Sequence, residues 1–362
     1  MNRTEITDLT ICRAAFAAWV FIYHIDLYAG FSWHLGFVGD VIRAGYLGVD
    51  GFFVLSGMIL ARVHAEMEWE WGASLQFWGK RLARVYPVHL ATIFVLVVFL
   101  VTGWALGMAP RSSARFTLGS LVENLLLIQG WGFSNFLAWN YPSWSVSTEW
   151  AGYLAFPVIW HFMSRWADAV IVPAVVFWIP VLGAVDYYSG SGLNMTYGGV
   201  LLRFFPEFLL GMATARMVPM WADEMPSRTL AFVGVAAVAL FAWLGWDTLV
   251  VTGLWLLIYA LAMQADSGRE PVFGKREGLI FLGRLSYAFY MSFGTAELLV
   301  TQIFRHFHMR PGQQGFLFCA AMVVLTFAYA MILHVFVEVP ARRAADRFLA
   351  PAVPLAGQEL RL

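Results

Sequence analysis

The chain has 362 residues, and only 13% of them are charged, against about 25% in an ordinary soluble domain. Apolar residues make up 60% and the mean hydropathy is +0.68, which excludes a soluble globular enzyme and a disordered chain. Lys plus Arg (23) balances Asp plus Glu (23), so no basic excess points to a nucleic-acid partner, and two cysteines inside apolar stretches suggest neither a disulfide framework nor a zinc site.

The remaining class is an all-α, polytopic transmembrane helix bundle. A span needs roughly 20 apolar residues, which leaves room for about ten. In chain order, the mixed charge at Arg3, Glu5 and Asp8 argues against a cleavable leader. Spans are expected near 9–28, 44–62 and 85–108, with a polar segment at 63–82 between the second and third. Segment 118–130 is apolar but short and carries Glu123 and Asn124. Crossing, it gives eleven spans; as a re-entrant or surface helix it gives ten. Further spans are expected near 146–164, 168–186, 199–217, 229–246, 248–265, 280–303 and 315–338. One domain, 1–347, precedes a short polar tail, 348–362, expected in the cytoplasm. With ten spans and both ends inside, 17 of the 23 Lys and Arg residues fall on the cytoplasmic side and 6 outside. The positive-inside rule therefore favours ten spans, as a multi-pass protein of the cytoplasmic (inner) membrane.

Ionisable residues inside spans are costly, so each is a functional candidate beside its bland reading. Arg13 and His24 lie 11 residues apart, on one helix face and about 16 Å apart along the axis. Arg13 reads as an interfacial anchor or an anion contact, and His24 as a helix–helix hydrogen bond or a base. Asp50, in Gly48-Val49-Asp50-Gly51-Phe52-Phe53-Val54-Leu55-Ser56-Gly57, reads equally well as a helix cap and as an active-site carboxylate. Arg81 and Arg84 share a face at the cytoplasmic surface, suiting either a positive-inside anchor or a phosphate. Glu149 ends the run Trp144-Ser145-Val146-Ser147-Thr148 and reads as a first-turn acid or as a partner for His24. Arg203 and Glu207, at i and i+4, are expected to pair within the membrane. His306 and His308 read as loop residues, and no metal site is expected.

Taken together and in order, these motifs resemble the acyltransferase-3 family of integral membrane acyltransferases. Arg13 and His24 are similar to its Arg/Lys-x10-His pattern, Gly48 to Gly57 to its GVDxFFVLSG stretch, and Arg81 with Arg84 to its RxxR. Trp144 to Glu149 are similar to WSLSxE, with Val146 for Leu. Arg203 to Gly211 are similar to RxxPEFLLG, Ser286, Tyr287 and Tyr290 to SYSxYL, and Glu338 with Pro340 to the closing ExP. The resemblance covers about 10–347. One departure stands out: Phe293 occupies the place where the family usually has a His.

The resemblance implies transfer of an acyl group, with acetyl the expected one, from acyl-CoA to a hydroxyl of a glycan or lipid-linked acceptor. It implies acyl-CoA as a co-substrate and no bound cofactor. It places Arg13, Arg81 and Arg84 on the donor and His24, Glu149 and Asp50 in the catalytic centre. Trp144, Arg203 and Glu207 are left as acceptor contacts or a structural pair. His24 then deprotonates the acceptor or carries the acyl group itself, with Glu149 or Asp50 orienting it. No SGNH-type domain is expected after residue 347. A secondary transporter or export permease for a glycan or lipid is the competing class, because buried Arg and Glu occur there too.

Overall fold

The computed structural model describes residues 6–105 and 113–349. Arg3, Arg111, Arg361, the end of the third expected span and most of the tail lie outside the described residues. The described residues form thirteen α-helices and no strand: α1 (Thr7–Ala29), α2 (Phe37–Arg43), α3 (Gly48–Val63), α4 (Trp71–Ala105), α5 (Leu118–Leu125), α6 (Trp144–Met163), α7 (Asp168–Ser189), α8 (Val200–Trp221), α9 (Ser227–Leu244), α10 (Asp247–Asp266), α11 (Glu277–His306), α12 (Gly315–Leu333) and α13 (Val339–Phe348).

Seven helical stretches are long and apolar enough to cross a membrane: α1, α2 with α3, α4, α7, α9, α10, and α12 with α13. Three more, α6, α8 and α11, have 20, 22 and 30 residues and are long enough. They miss only on composition, because they carry Glu149, Arg203, Glu207, Glu297 and the serines and tyrosines of the motifs.

Contacts between helix ends show how the ten run. At one end of the bundle Asp8 accepts from the backbone N–H of Val272 and Phe273, Arg216 pairs with Asp168, and Arg62 pairs with Asp266. At the other end Tyr46 meets Asp247, Thr248 donates to Asp186, and Asn194 donates to Tyr23. These pairs are mutually consistent only if α1, α3, α4 and α6 to α12 alternate in direction, with no crossing between α4 and α6.

Segment 118–130 accordingly does not cross. Its helix, α5, has 8 residues, about 12 Å, against about 30 Å of hydrocarbon. Thr117 caps its N-terminus and the chain then turns back. Side chains of neighbouring helices satisfy the polar groups this frees. His89 and Tyr86 of α4 bond the carbonyls of Asn124 and Leu125, and Ser147 of α6 donates to the Leu127 carbonyl and accepts from the Gly130 N–H.

The third span begins earlier than expected. Residues 71–82, expected as part of a polar connection, form the first turns of α4. The reason is helical periodicity beneath the charges: Ser74, Phe77, Val85 and Val88 are buried on one face. The Phe77 ring stacks 5.0 Å from Phe156, and the Trp78 indole N–H donates to the Tyr153 carbonyl.

Glycines set how closely the central helices approach. A Cβ on Gly57 of α3 would collide with the Phe208 carbonyl of α8, and one on Gly211 with the Val54 carbonyl of α3. The two backbones therefore touch at a reciprocal small-residue crossing. Gly283 of α11 meets the Thr10 carbonyl of α1 in the same way. α7, α9 and α12 turn apolar side chains such as Phe177, Phe232 and Phe316 outward, as a lipid-facing surface requires. The polar motifs are left in the middle, between α1, α3, α4, α6, α8 and α11.

Candidate active site

A partly open cavity lies among α1, α3, α4, α6 and α11. Its walls are apolar along α3, where Val49, Phe52, Leu55, Ile59 and Leu60 face it. Arg13, Arg81 and Arg84 bring three guanidinium groups into it, against the single carboxylate of Glu149. Arg81 and Arg84 meet there because they are i and i+3 on α4, and Arg13 comes from the facing stretch of α1. Arg81 Nη2 lies 3.5 Å from His64 Nε2 and its guanidinium stands 5.6 Å over the Phe77 ring. Ser56 donates to Glu149 at 2.6 Å, holding that carboxylate on the wall. An apolar chamber with surplus guanidinium charge suits an anion carrying an apolar or amphipathic arm.

The end of the cavity away from Arg81 and Arg84 is closed by Phe52, Ser145 and Tyr290. Ser145 donates to Tyr290 at 3.0 Å, fixing α6 against α11. Behind Tyr290 lies Phe293, 1% exposed, with ring centroids 5.4 Å from Tyr290 and 4.8 Å from His24. Two aromatic side chains, Tyr290 on the wall and Phe293 behind it, therefore lie between the basic cavity and His24.

His24 is partly exposed, 19% at the side chain, and has a defined set of partners. Its Nδ1 lies 3.1 Å from the Tyr141 hydroxyl and 3.9 Å from Glu297 Oε2. Tyr141 donates to Glu297 Oε2 at 2.6 Å, and Tyr28 donates to Oε1 at 2.7 Å. Tyr141 has one hydroxyl proton, and Glu297 takes it. Donor counting then requires His24 Nδ1–H to donate to the Tyr141 oxygen. The lone pair is left on Nε2, which makes no hydrogen bond among the described residues.

Two expectations change here. Neither Glu149 nor Asp50 orients His24. Glu149 belongs to the basic cavity, and Asp50 is bound to Arg203. Arg203 Nε donates to Asp50 Oδ1 at 2.8 Å, Nη2 donates to Oδ2, and Nη1 donates to the Met195 carbonyl at 2.9 Å. The expected Arg203–Glu207 pair is therefore replaced by a bidentate pair between α3 and α8. It forms because Asp50 and Arg203 lie at the same end of two helices held close by Gly57 and Gly211. Trp144 covers it, its ring 5.6 Å from the Arg203 guanidinium. Asp50 and Arg203 are 0% and 1% exposed, and Glu207 is fully buried beside them with no hydrogen-bond donor to its oxygens. This cluster holds two helices together and does not line the cavity.

Its position inside a span makes Glu297 a buried acid, but the sequence assigns it no role and does not single out Tyr141 or Tyr28. The one signal for Glu297 was its i+4 spacing from Phe293, which puts both on one face of α11. Tyr141 lies in a 3-10 turn, Tyr141–Ser143, where no periodic pattern exists to flag it.

The acyltransferase-3 family, described as an acyltransferase domain, matches residues 6–335, nearly the whole chain. The chain belongs to the acyltransferase-3 family. That makes it an acyltransferase built into a membrane. It is 26% identical over 340 residues to the acyltransferase MdmB of Streptomyces mycarofaciens, covering 85% of this chain and 83% of that protein. It is 26% identical over 255 residues to the peptidoglycan O-acetyltransferase OatA of Listeria monocytogenes, covering 65% of this chain and 38% of that protein. It is 27% identical over 246 residues to the putative peptidoglycan O-acetyltransferase YrhL of Bacillus subtilis, covering 62% and 35%. The chain thus spans a little over a third of the two peptidoglycan enzymes. No solved structure matches the chain.

Proposed function

We propose that this acyltransferase moves an acyl group, acetyl first among them, from acyl-CoA to a hydroxyl of a glycan or lipid-linked acceptor. The donor enters from the cytoplasm through the arginine-lined cavity. The acceptor meets His24 at the opposite, outer end. The membrane is the cytoplasmic membrane. The observation that carries this reading is the placement of three guanidinium groups in a cavity whose wall residue Tyr290 packs on Phe293, which in turn packs on His24. CoA is a polyanion with a long amphipathic arm, which is the ligand class such a cavity suits. Two relatives named for O-acetyl transfer to peptidoglycan favour a glycan hydroxyl as acceptor.

In this mechanism His24 Nε2 takes the proton of the acceptor hydroxyl. The hydroxyl oxygen attacks the thioester carbonyl, the C–O bond forms and the C–S bond breaks. The proton passes from His24 to the departing thiolate, giving the ester and free CoA. Arg13, Arg81 and Arg84 hold donor phosphates, and Ser56 keeps Glu149 on the cavity wall.

The test is made in the host organism. Cells lacking the gene are compared with cells carrying wild type or His24→Ala, and surface glycans and lipids are analysed by mass spectrometry. The expected result is loss of one defined acyl mass in both the deletion and His24→Ala. Full acylation by well-expressed His24→Ala would overturn the role of His24.

A further inference from the structure

We propose that Glu297 is the positioning residue of His24, fixing its tautomer and stabilising the imidazolium that forms during transfer. The inference deepens the function proposed above and rests on His24 being the base. Three observations carry it. Glu297 is buried on α11, 8% exposed at its side chain. Both of its carboxylate oxygens accept hydroxyls from other parts of the chain, Tyr28 at the end of α1 and Tyr141 in the turn before α6. The ionisable nitrogen beside it is His24 Nδ1 at 3.9 Å, and no Lys or Arg nitrogen lies within ion-pair distance of it among the described residues.

A buried carboxylate is normally paired with a cation. Here the permanent charge that reaches it is that of Arg115, beyond ion-pair distance, and the nearest ionisable nitrogen is one that charges only during transfer. When His24 takes the acceptor proton, a positive charge appears next to a negative one already held in place by two tyrosines. The Tyr141 oxygen also accepts the Nδ1 proton, so Nε2 keeps its lone pair toward the acceptor. The arrangement works as an acid–imidazole pair with a phenol inserted, and the carboxylate acts through His24 without touching substrate.

The experiment uses the full chain in lipid nanodiscs, labelled acetyl-CoA as donor and envelopes from the gene-deletion strain as acceptor. Glu297→Gln keeps the volume and one acceptor oxygen but removes the charge. It is expected to lower kcat about 10²-fold while leaving the KM for acetyl-CoA within twofold, because the donor site lies behind Phe293. Glu297→Asp is expected to recover part of the loss, which a merely structural role would not require. Tyr141→Phe is expected to lower kcat about tenfold, and it carries the test if Glu297→Gln does not accumulate. If His24→Ala abolishes transfer and Glu297→Gln and Tyr141→Phe keep wild-type kcat, the role of Glu297 is overturned. If His24→Ala itself retains full kcat, the proposed base fails and this inference falls with it.

Discussion

Phe293 stands between two sites that must communicate. It packs against Tyr290 on the cavity side and His24 on the other, with Phe21 and Tyr141 around it. In the function proposed above, this buried apolar ring is the barrier between water at the outer end and the donor. Phe293→Leu opens a gap there at lower packing cost than Phe293→Ala. Without any acceptor, acetyl-CoA hydrolysis by this variant is expected to rise several-fold, measured as released thiol. Hydrolysis at the wild-type rate would remove Phe293 as the water barrier. At this scale the sequence told chemistry better than geometry. Arg13, Arg81 and Arg84 were legible because charge inside a span is costly and i, i+3 spacing fixes a shared face. The partners of His24 were not, because Tyr141 lies 117 residues away in the chain and Glu297 farther still. No local pattern tells which buried acid on one helix meets a given imidazole on another.

Helices α3 and α8 are joined by two devices of different kinds. Gly57 and Gly211 bring the backbones into contact, and about two turns away Asp50 and Arg203 form a buried ion pair. Removing Arg203 leaves Asp50 and the adjacent Glu207 buried without their cation, at a cost of about 3–5 kcal/mol, and removing Asp50 breaks the bidentate joint. Asp50→Leu and Arg203→Met are each expected to lower the unfolding temperature in detergent substantially, whereas the combined variant is expected to be no worse than the poorer single one. Strictly additive losses would show that the pair is not the joint described. The spans themselves were legible in the sequence, including α6, α8 and α11, whose polar motifs pull down their hydropathy. Helix ends were less so. The start of α4 hid beneath charged residues, and the length of α5 was decided by tertiary hydrogen bonds from His89, Tyr86 and Ser147.

The whole molecule is polarised. Its formal net charge is zero, yet the expected topology puts 17 of 23 Lys and Arg residues on the cytoplasmic side. The three arginines of the basic cavity belong to the same half, with Arg13 about 16 Å below His24 along α1. The alternating helix directions put Arg13, Arg81 and Arg84 toward one end and His24 toward the other, which in the function proposed above separates donor from acceptor. The most direct measurement uses sealed vesicles of both orientations from the deletion strain carrying this protein, incubated with labelled acetyl-CoA outside. The account predicts that inverted vesicles, which present the arginine-rich end to the donor, incorporate label into envelope material, and that right-side-out vesicles do not. Incorporation confined to sealed right-side-out vesicles, absent with His24→Ala, would contradict the assignment of the donor to the arginine-lined end.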